Sequence, residues 1–325
     1  MSARPVSAPA PEVVTVTPNP ALDWALTVPG FTPHAVNRVA ADARTPGGKG
    51  VNVAVALAAL GHRVAVTGLL GEANAGPFER LFARAGVRDA FVRVPGETRV
   101  GVKINDPGTG RTTDVNLPGR APSPDEVAQV VARTEALAAE GARWVVLGGS
   151  LPPGVPATFY RDQVRALAAA GRQVVVDTSG EALRHAVDAG PAVIKPNIHE
   201  LEALVGRPLP TRGAVLAAAR AFVARGVGLV VVSLGEDGAL FVGGGGAAVL
   251  ARPPRVAVQT TVGAGDAMVA GFLAGRLRGL ALAEAARLAT ACALHAITRD
   301  GDAAGGDPAA AVEAFRGRVE VAEVA

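Results

Sequence analysis

RWVVLGGS at 143–150, RQVVVDTSG at 172–180, AVIKPN at 192–197 and GLVVVSLG at 228–235 decide the fold. Each is a short apolar run that stops at glycine or a polar residue, and helical patterning separates one from the next. Runs that are apolar on both faces suit a parallel sheet, whose crossover helices cover both sides. Open sheets of this kind bind ligands beyond the carboxyl ends of their strands, so GGS, DTSG, KPN and SLG are predicted to line one crevice.

Working outward, the β-branched run Val13–Thr17 ends at Pro18-Asn19-Pro20 and reads as a buried strand feeding a turn. The rhythm continues with a helix over VNVAVALAALG (51–61), a strand over RVAVTGLLG (63–71) and helices over PFERLFARAG (77–86) and PDEVAQVVARTEALAAE (124–140). Segments 22–42 and 90–116 differ: they are short, alternating and broken by Pro and Gly, with DPGTG at 106–110 as a hairpin turn, and they predict a small accessory sheet. FVGGGGAAVL at 241–250 reads as a hairpin with a glycine tip, because a strand and not a helix follows it. Two final helices are predicted over 264–277 and 282–298. Residues 1–11, rich in Ala, Pro and Ser, predict a disordered tail before a domain over 12–320.

With 325 residues, 49% of them hydrophobic but only 4% aromatic, the core must rest on Ala, Val and Leu, which favours a helix-covered sheet over a β-sandwich. The isoelectric point is near 9.6, yet the formal charge is only +3. Lys and Arg are scattered and not interleaved with aromatics, which speaks against a nucleic-acid partner. Cys292 is the sole cysteine, so no internal disulfide forms and a reducing compartment is expected. His34, His62, His185, His199 and His295 show no metal-ligand spacing. No run of about 18 apolar residues occurs, and the N-terminus has no apolar leader core, so a cytoplasmic protein with no membrane partner is expected.

The sharpest chemical signal is TTVGAGDAMVAGFLAG at 260–275, where Gly263-Ala264-Gly265 opens a helix beginning near Asp266. A glycine-bared helix N-terminus is an anion site, and a carboxylate beside it can deprotonate a hydroxyl while N–H groups offset charge on a transferring phosphoryl group. A plain helix cap is the competing role for Asp266. PGGKGVNVAVALAALG at 46–61 lacks the Walker spacing, but its glycines permit close ligand approach, with Lys49 and Asn52 offering a cation and an amide. In ETRVGVKI (97–104), Arg99 and Lys103 share one strand face and, with Lys49, can form a basic cup for a phosphate. Asp23, Ser150, Ser233, Gly235 and Gly238 lie in weaker motifs. Asn197 and Glu200 in KPNIHE suit a hard cation held through water, although Glu200 also fits a helix surface.

In this order TPNPALD, GGKGVN, ETRVGVK, GGSLPPG, DTSG, KPNxxEL, VSLGxxGA and TVGAGDAMVAG resemble the ribokinase-like PfkB family of carbohydrate kinases over about residues 13–300. The resemblance implies a three-layer α/β/α fold with a mostly parallel central sheet and a β-sheet lid. It implies Asp266 as base, with Gly263, Ala264 and Gly265 as anion hole. Lys195, Asn197, Ser233, Leu234, Gly235, Glu236, Asp237, Gly238 and Gly265 would lie toward ATP, with Asn197 and Glu200 toward Mg²⁺. Asp23, Arg38, Gly48, Lys49, Asn52, Arg99, Lys103 and Ser150 would hold the acceptor. ATP and Mg²⁺ are implied, K⁺ is admitted, and a homodimer through the lid is implied. GGKGVN, VNRV (36–39), ETRxxVK and TDVNLPG (113–119) point within the family to fructose 1-phosphate as acceptor, ahead of tagatose 6-phosphate or fructose 6-phosphate. Gly101 departs from the pattern, since a polar residue is expected there. A sugar-phosphate sensor without activity is the rival from another class, but a sensor needs no base. A nucleoside acceptor would leave several cations facing a neutral molecule.

Overall fold

The computed structural model describes residues 9–298 and 307–324. Most of the expected N-terminal tail, residues 1–8, lies outside the described residues. Pro11 is buried and the Ala10 carbonyl accepts a bond from Arg63 Nε at 3.0 Å, so ordered packing begins before Glu12.

The central sheet runs, from one edge, β15 (Glu320–Glu323), β14 (Ala248–Arg252), β13 (Ala239–Gly243), β12 (Leu229–Ser233), β11 (Val193–Ile194), β10 (Gln173–Asp177), β9 (Trp144–Gly148), β1 (Val13–Thr17), β4 (Val64–Gly71) and β5 (Arg88–Asp89). A further strand, β6 (Val92–Val94), also pairs with β4. From β12 across to β5 every pairing is parallel, whereas β13, β14 and β15 add antiparallel. The glycine-tipped hairpin is thus β13–β14.

Strand alternation sends successive residues into two separate cores. Val13 joins one core, with α1 (Lys49–Ala59), α2 (Gly76–Ala85), α8 (Ala264–Leu277), α9 (Leu282–Thr298) and α10 (Pro308–Arg316). Val14 and Val16 join the other, with α3 (Pro124–Ala139), α4 (Phe159–Ala169), α5 (Gly180–Val187), α6 (Ile198–Val205) and α7 (Arg212–Ala224). The result is the expected α/β/α arrangement. Helix α8 is enclosed on all sides from Asp266 to Gly275. Gly271 allows this: a Cβ there would lie 2.7 Å from Cys292 Sγ and 2.8 Å from Ala289 Cα on α9.

A second sheet stands apart, in the order β3 (Ala41–Gly47), β2 (Ala21–Thr27), β7 (Val100–Asp106), β8 (Arg111–Asn116). Strands β2 and β7 pair in parallel, and the flanking pairs are antiparallel. Asp106 fixes the β7–β8 turn, its Oδ1 accepting from Gly108 N at 3.0 Å and from Gly30 N at 2.9 Å. Of the segment 90–116, Val92–Val94 goes to the central sheet, and only residues from Val100 onward build the small one.

Candidate active site

The carboxyl ends of β12, β11, β10, β9 and β1 lie side by side, and the starts of α1 and α8 meet above them. Gly48, at φ 124°, turns the chain into α1, and a Cβ there would lie 2.9 Å from Thr17 Cγ2. Gly263, at φ 79°, turns the chain into α8 without any side-chain cap, so the first-turn N–H groups of Ala264, Gly265 and Asp266 have no intrahelical acceptor.

Asp266 is only 7% exposed and turned inward. Its Oδ2 accepts from Asn52 Nδ2 at 2.7 Å. Beside it, Asp177 at the end of β10 is gripped by Lys49 Nζ at 2.6 Å on Oδ1 and by Lys195 Nζ at 3.4 Å on Oδ2. Lys195 also reaches the anion hole, since a Cβ on Gly265 would sit 3.0 Å from its Nζ. Asn52, Asp266, Asp177, Lys49 and Lys195 therefore form one connected cluster.

Burial sets the charge balance here. It pushes the Asp266 carboxyl up to about 6, with the Asp177 charge adding to the rise and the Asn52 bond, Lys49 and Lys195 opposing it. For Asp177 burial acts the same way, but Lys195 and Lys49 outweigh it and hold the group below the usual carboxylate range. Lys49 is pulled down by burial and further up by Asp177, so it remains an ammonium. The site thus carries one firm carboxylate, the firm Lys49 cation and one carboxylate poised to exchange a proton near neutral pH.

On the small-sheet side, Asp23 on β2 lies over Gly47, where a Cβ would meet its Oδ2 at 2.5 Å, and over Gly101 on β7. Burial raises the Asp23 carboxyl, while Lys103 and Arg99 counter it. Lys103 is 3.8 Å from Asp23 and 3.1 Å from Asp114, so its charge is shared between two carboxylates. Arg99 is held by backbone: its Nη1 donates to Leu117 O at 3.1 Å and its Nε to Asn19 O at 3.3 Å. Asn19 Nδ2 in turn donates to Ser150 Oγ at 3.2 Å. These bonds tie the small sheet to the ends of β1 and β9.

On the other side, Ser233 bridges to Asn197, and the turn over Gly235–Asp237 closes with Leu234 N donating to Gly238 O at 2.8 Å. Gly238 is required there, because a Cβ would lie 2.0 Å from Ala251 O. Glu236 and Asp237 point to solvent. Asn197 and Glu200 form a capping box on α6: Glu200 N donates to Asn197 Oδ1 at 2.9 Å and Asn197 N to Glu200 Oε2 at 2.8 Å. That local role accounts for both residues without a metal. It leaves Glu200 Oε1 open, and Asp177 Oδ2 is buried without a hydrogen bond. Two carboxylates of this kind fit a hard cation held mainly by water and phosphate oxygens. No cluster of three or more metal-ligating side chains occurs among the described residues.

The cluster therefore gathers Asp266, Gly265, Lys49, Asn52 and Lys195, with Asp23, Arg99, Lys103 and Ser150 along one rim and Asn197 to Gly238 along the other. Arg38 is not brought in; it is exposed on the loop between β2 and β3. Asp177 is the residue that sequence reasoning passed over. Its place at the tip of DTSG, inside the predicted crevice, was the available signal.

The family described as "pfkB family carbohydrate kinase" matches residues 19–310. The chain belongs to this family. Among its relatives, a 1-phosphofructokinase of Rhodobacter capsulatus is 51% identical over 285 residues, covering 88% of this chain and 90% of that protein. A 1-phosphofructokinase of Xanthomonas campestris is 44% identical over 285 residues, covering 86% and 89%. The phosphofructokinase-2 of Escherichia coli, solved in complex with substrates and products, superposes with a TM-score of 0.86 at 32% identity, covering 94% of this chain and 98% of that one. The same enzyme has been solved with potassium and in a tetrameric inhibited form. Membership makes the chain a sugar kinase with an α/β/α core and a small second sheet, as the ordered motifs imply. Among the described residues, no helix is long and apolar enough to cross a membrane.

Proposed function

We propose that this PfkB kinase transfers the γ-phosphoryl group of ATP to the C6 hydroxyl of fructose 1-phosphate, giving fructose 1,6-bisphosphate and ADP. The observation that carries the reading is Asp266, buried at the bared N-terminus of α8 with its carboxyl raised to about 6. A base of that strength is ionised at pH 7 yet close enough to neutrality to take a proton. Asp266 accepts the proton of the C6 hydroxyl as that oxygen bonds to the γ-phosphorus and the bond to the ADP oxygen breaks. The N–H groups at Ala264 and Gly265, with the Lys195 ammonium beside them, face the charge spread over the moving phosphoryl oxygens.

The acceptor lies between the cluster and the small sheet. Asp23 takes sugar hydroxyls, while Lys49, Lys103 and Arg99 supply cations for the phosphate ester. Ser150 and Gly48 complete that wall. The nucleotide lies along Ser233, Leu234, Gly235, Glu236, Asp237 and Gly238. Mg²⁺, when bound, neutralises the phosphate chain, and Glu200, Asn197 and Asp177 are the residues that would orient its waters. K⁺ belongs to the reading as a possible accessory cation, since the Escherichia coli neighbour was solved with potassium. An ATP donor and a lone buried cysteine agree with a cytoplasmic setting.

The small sheet has two unlike faces. Asp23, Gly101, Lys103, Asp114 and Asn116 share the inner one, and Trp24, Val102 and Val115, aligned across three strands, share the outer one. Val115 is 50% exposed and Val36 on the adjoining loop 89%. Our reading pairs two copies through this apolar outer face.

A coupled ADP-release assay over fructose 1-phosphate, fructose 6-phosphate and tagatose 6-phosphate tests the acceptor. The highest kcat/KM is expected with fructose 1-phosphate; a higher value with either 6-phosphate replaces it as the acceptor.

A further inference from the structure

The absence of a side chain at Gly101 lets two polar side chains converge above it. In the small sheet Gly101 faces Asp23 in register on β2 and Asn116 in register on β8. A Cβ built on Gly101 would sit 2.7 Å from Asp23 Oδ1 and 3.0 Å from Asn116 Oδ1, so both side chains lean over the same glycine. The same Asp23 Oδ1 lies 3.8 Å from Lys103 Nζ. Asn116 is exposed, and its side chain makes no hydrogen bond to any described residue. An unengaged amide therefore stands next to a carboxylate above Gly101, on the face of the small sheet that Gly47 of the GGKG turn approaches.

Both groups can accept a hydrogen bond. A carboxylate only accepts hydrogen bonds, whereas an amide both donates and accepts. Two neighbouring hydroxyls set against this pair can each donate a hydrogen bond, one to Asp23 Oδ1 and one to Asn116 Oδ1, the amide oxygen that faces Gly101. A phosphate would be repelled by Asp23, and an apolar group would leave both oxygens unpaired.

Resting on the kinase reading above, we infer that Asn116 is a specificity-determining residue that, with Asp23, clamps adjacent secondary hydroxyls of the acceptor sugar against the inner face of the small sheet. The polar contact expected from residue 101 itself is supplied here from the neighbouring strand. Asn116 touches the part of the acceptor remote from phosphoryl transfer, so it binds ground and transition states alike.

The test is steady-state kinetics of wild type, Asn116→Ala and Asn116→Ser on fructose 1-phosphate and on its 3-deoxy and 4-deoxy analogues. Loss of one hydrogen bond should raise the acceptor KM of Asn116→Ala roughly threefold to tenfold, with kcat and the KM for ATP within about twofold. Asn116→Ser, which keeps a shorter accepting oxygen, should fall between. On the deoxy analogue that lacks the bonded hydroxyl, wild type and Asn116→Ala should become equal, an outcome that a merely structural role for Asn116 would not give. An equal penalty on all three acceptors, or an unchanged KM, overturns the inference and leaves the kinase reading standing. A wild-type protein that phosphorylates no sugar phosphate overturns the kinase reading, and the inference with it. Matching thermal unfolding curves for the variants confirm that the exposed edge strand tolerates them.

Discussion

At the scale of single residues, the site turns on one carboxylate whose ionisation its neighbours control. Asp266→Asn keeps the shape and removes the base; kcat should fall about 10²- to 10⁴-fold while ATP affinity, read by titration calorimetry, stays within about twofold. The wild-type pH profile should follow the same group. In the proposed role Asp266 acts when deprotonated, so kcat/KM should decline as pH falls through about 6. The Asn52 bond favours the charged form, and Asn52→Ala should move that acidic limb to higher pH; an unmoved limb would assign it to another group. Asp266 and its glycines were legible because a helix start is written locally. Asp177 was not, because its meaning depends on Lys49, 128 residues away, and Lys195, brought to it only by strand order. Asp177→Asn would strand two ammonium groups, and a loss of about 2–3 kcal/mol is expected in urea unfolding, at the low end for a broken buried pair because Lys49 is partly solvated.

At the scale of elements, strands and helices with a full period of pattern were read from the sequence, and those without one were not. The five-residue runs of β1, β9, β10 and β12 announced themselves, as did α8 and α9. Two-residue β5 and three-residue β6 have no period to read and exist because a neighbour supplies the pairing, whereas two-residue β11 was read within AVIKPN from its apolar run ending at Lys195-Pro196-Asn197. β15 escaped for the same reason: EVAE at 320–323 is polar at both ends and becomes a strand only against β14. The capping box that occupies Asn197 and Glu200 shows a local role competing with a ligand role for the same residues. The contact of α8 with α9 calls for a direct test, since α8 carries the proposed base. Gly271→Ala would press a methyl against Cys292 and Ala289, and overpacking of this kind costs about 1–3 kcal/mol. The midpoint of thermal unfolding should drop, and kcat should drop with it, because any outward shift of α8 moves Asp266 off Asn52. A lower midpoint with unchanged kcat would show that the first turn of α8 is held independently of α9.

At the scale of the whole molecule, the two-sided core was legible in the apolar strand runs, but the docking of the small sheet was not. Its position rests on Arg99 reaching the carbonyls of Asn19 and Leu117 and on Asn19 reaching Ser150, contacts between segments with no shared pattern. A sheet anchored along one end can close over the crevice by bending at those bonds, excluding water from the phosphoryl transfer. Its outer face presents Trp24, Val102 and Val115 in register across three strands, with the Arg44 guanidinium 4.3 Å over the Trp24 ring at one end of the row, and in the proposed dimer a second copy covers the rest. If two copies cover each other's rows, light scattering should find particles of two 32.6 kDa chains, and Val102→Glu, which puts a charge at the centre of the row, should run as one. Separation should also raise the acceptor KM, since the inner face of the same strand carries Lys103 and an unsupported sheet closes less firmly. A wild type that is already a single chain, or a Val102→Glu protein that stays paired, would place the contact elsewhere and leave the row to another partner.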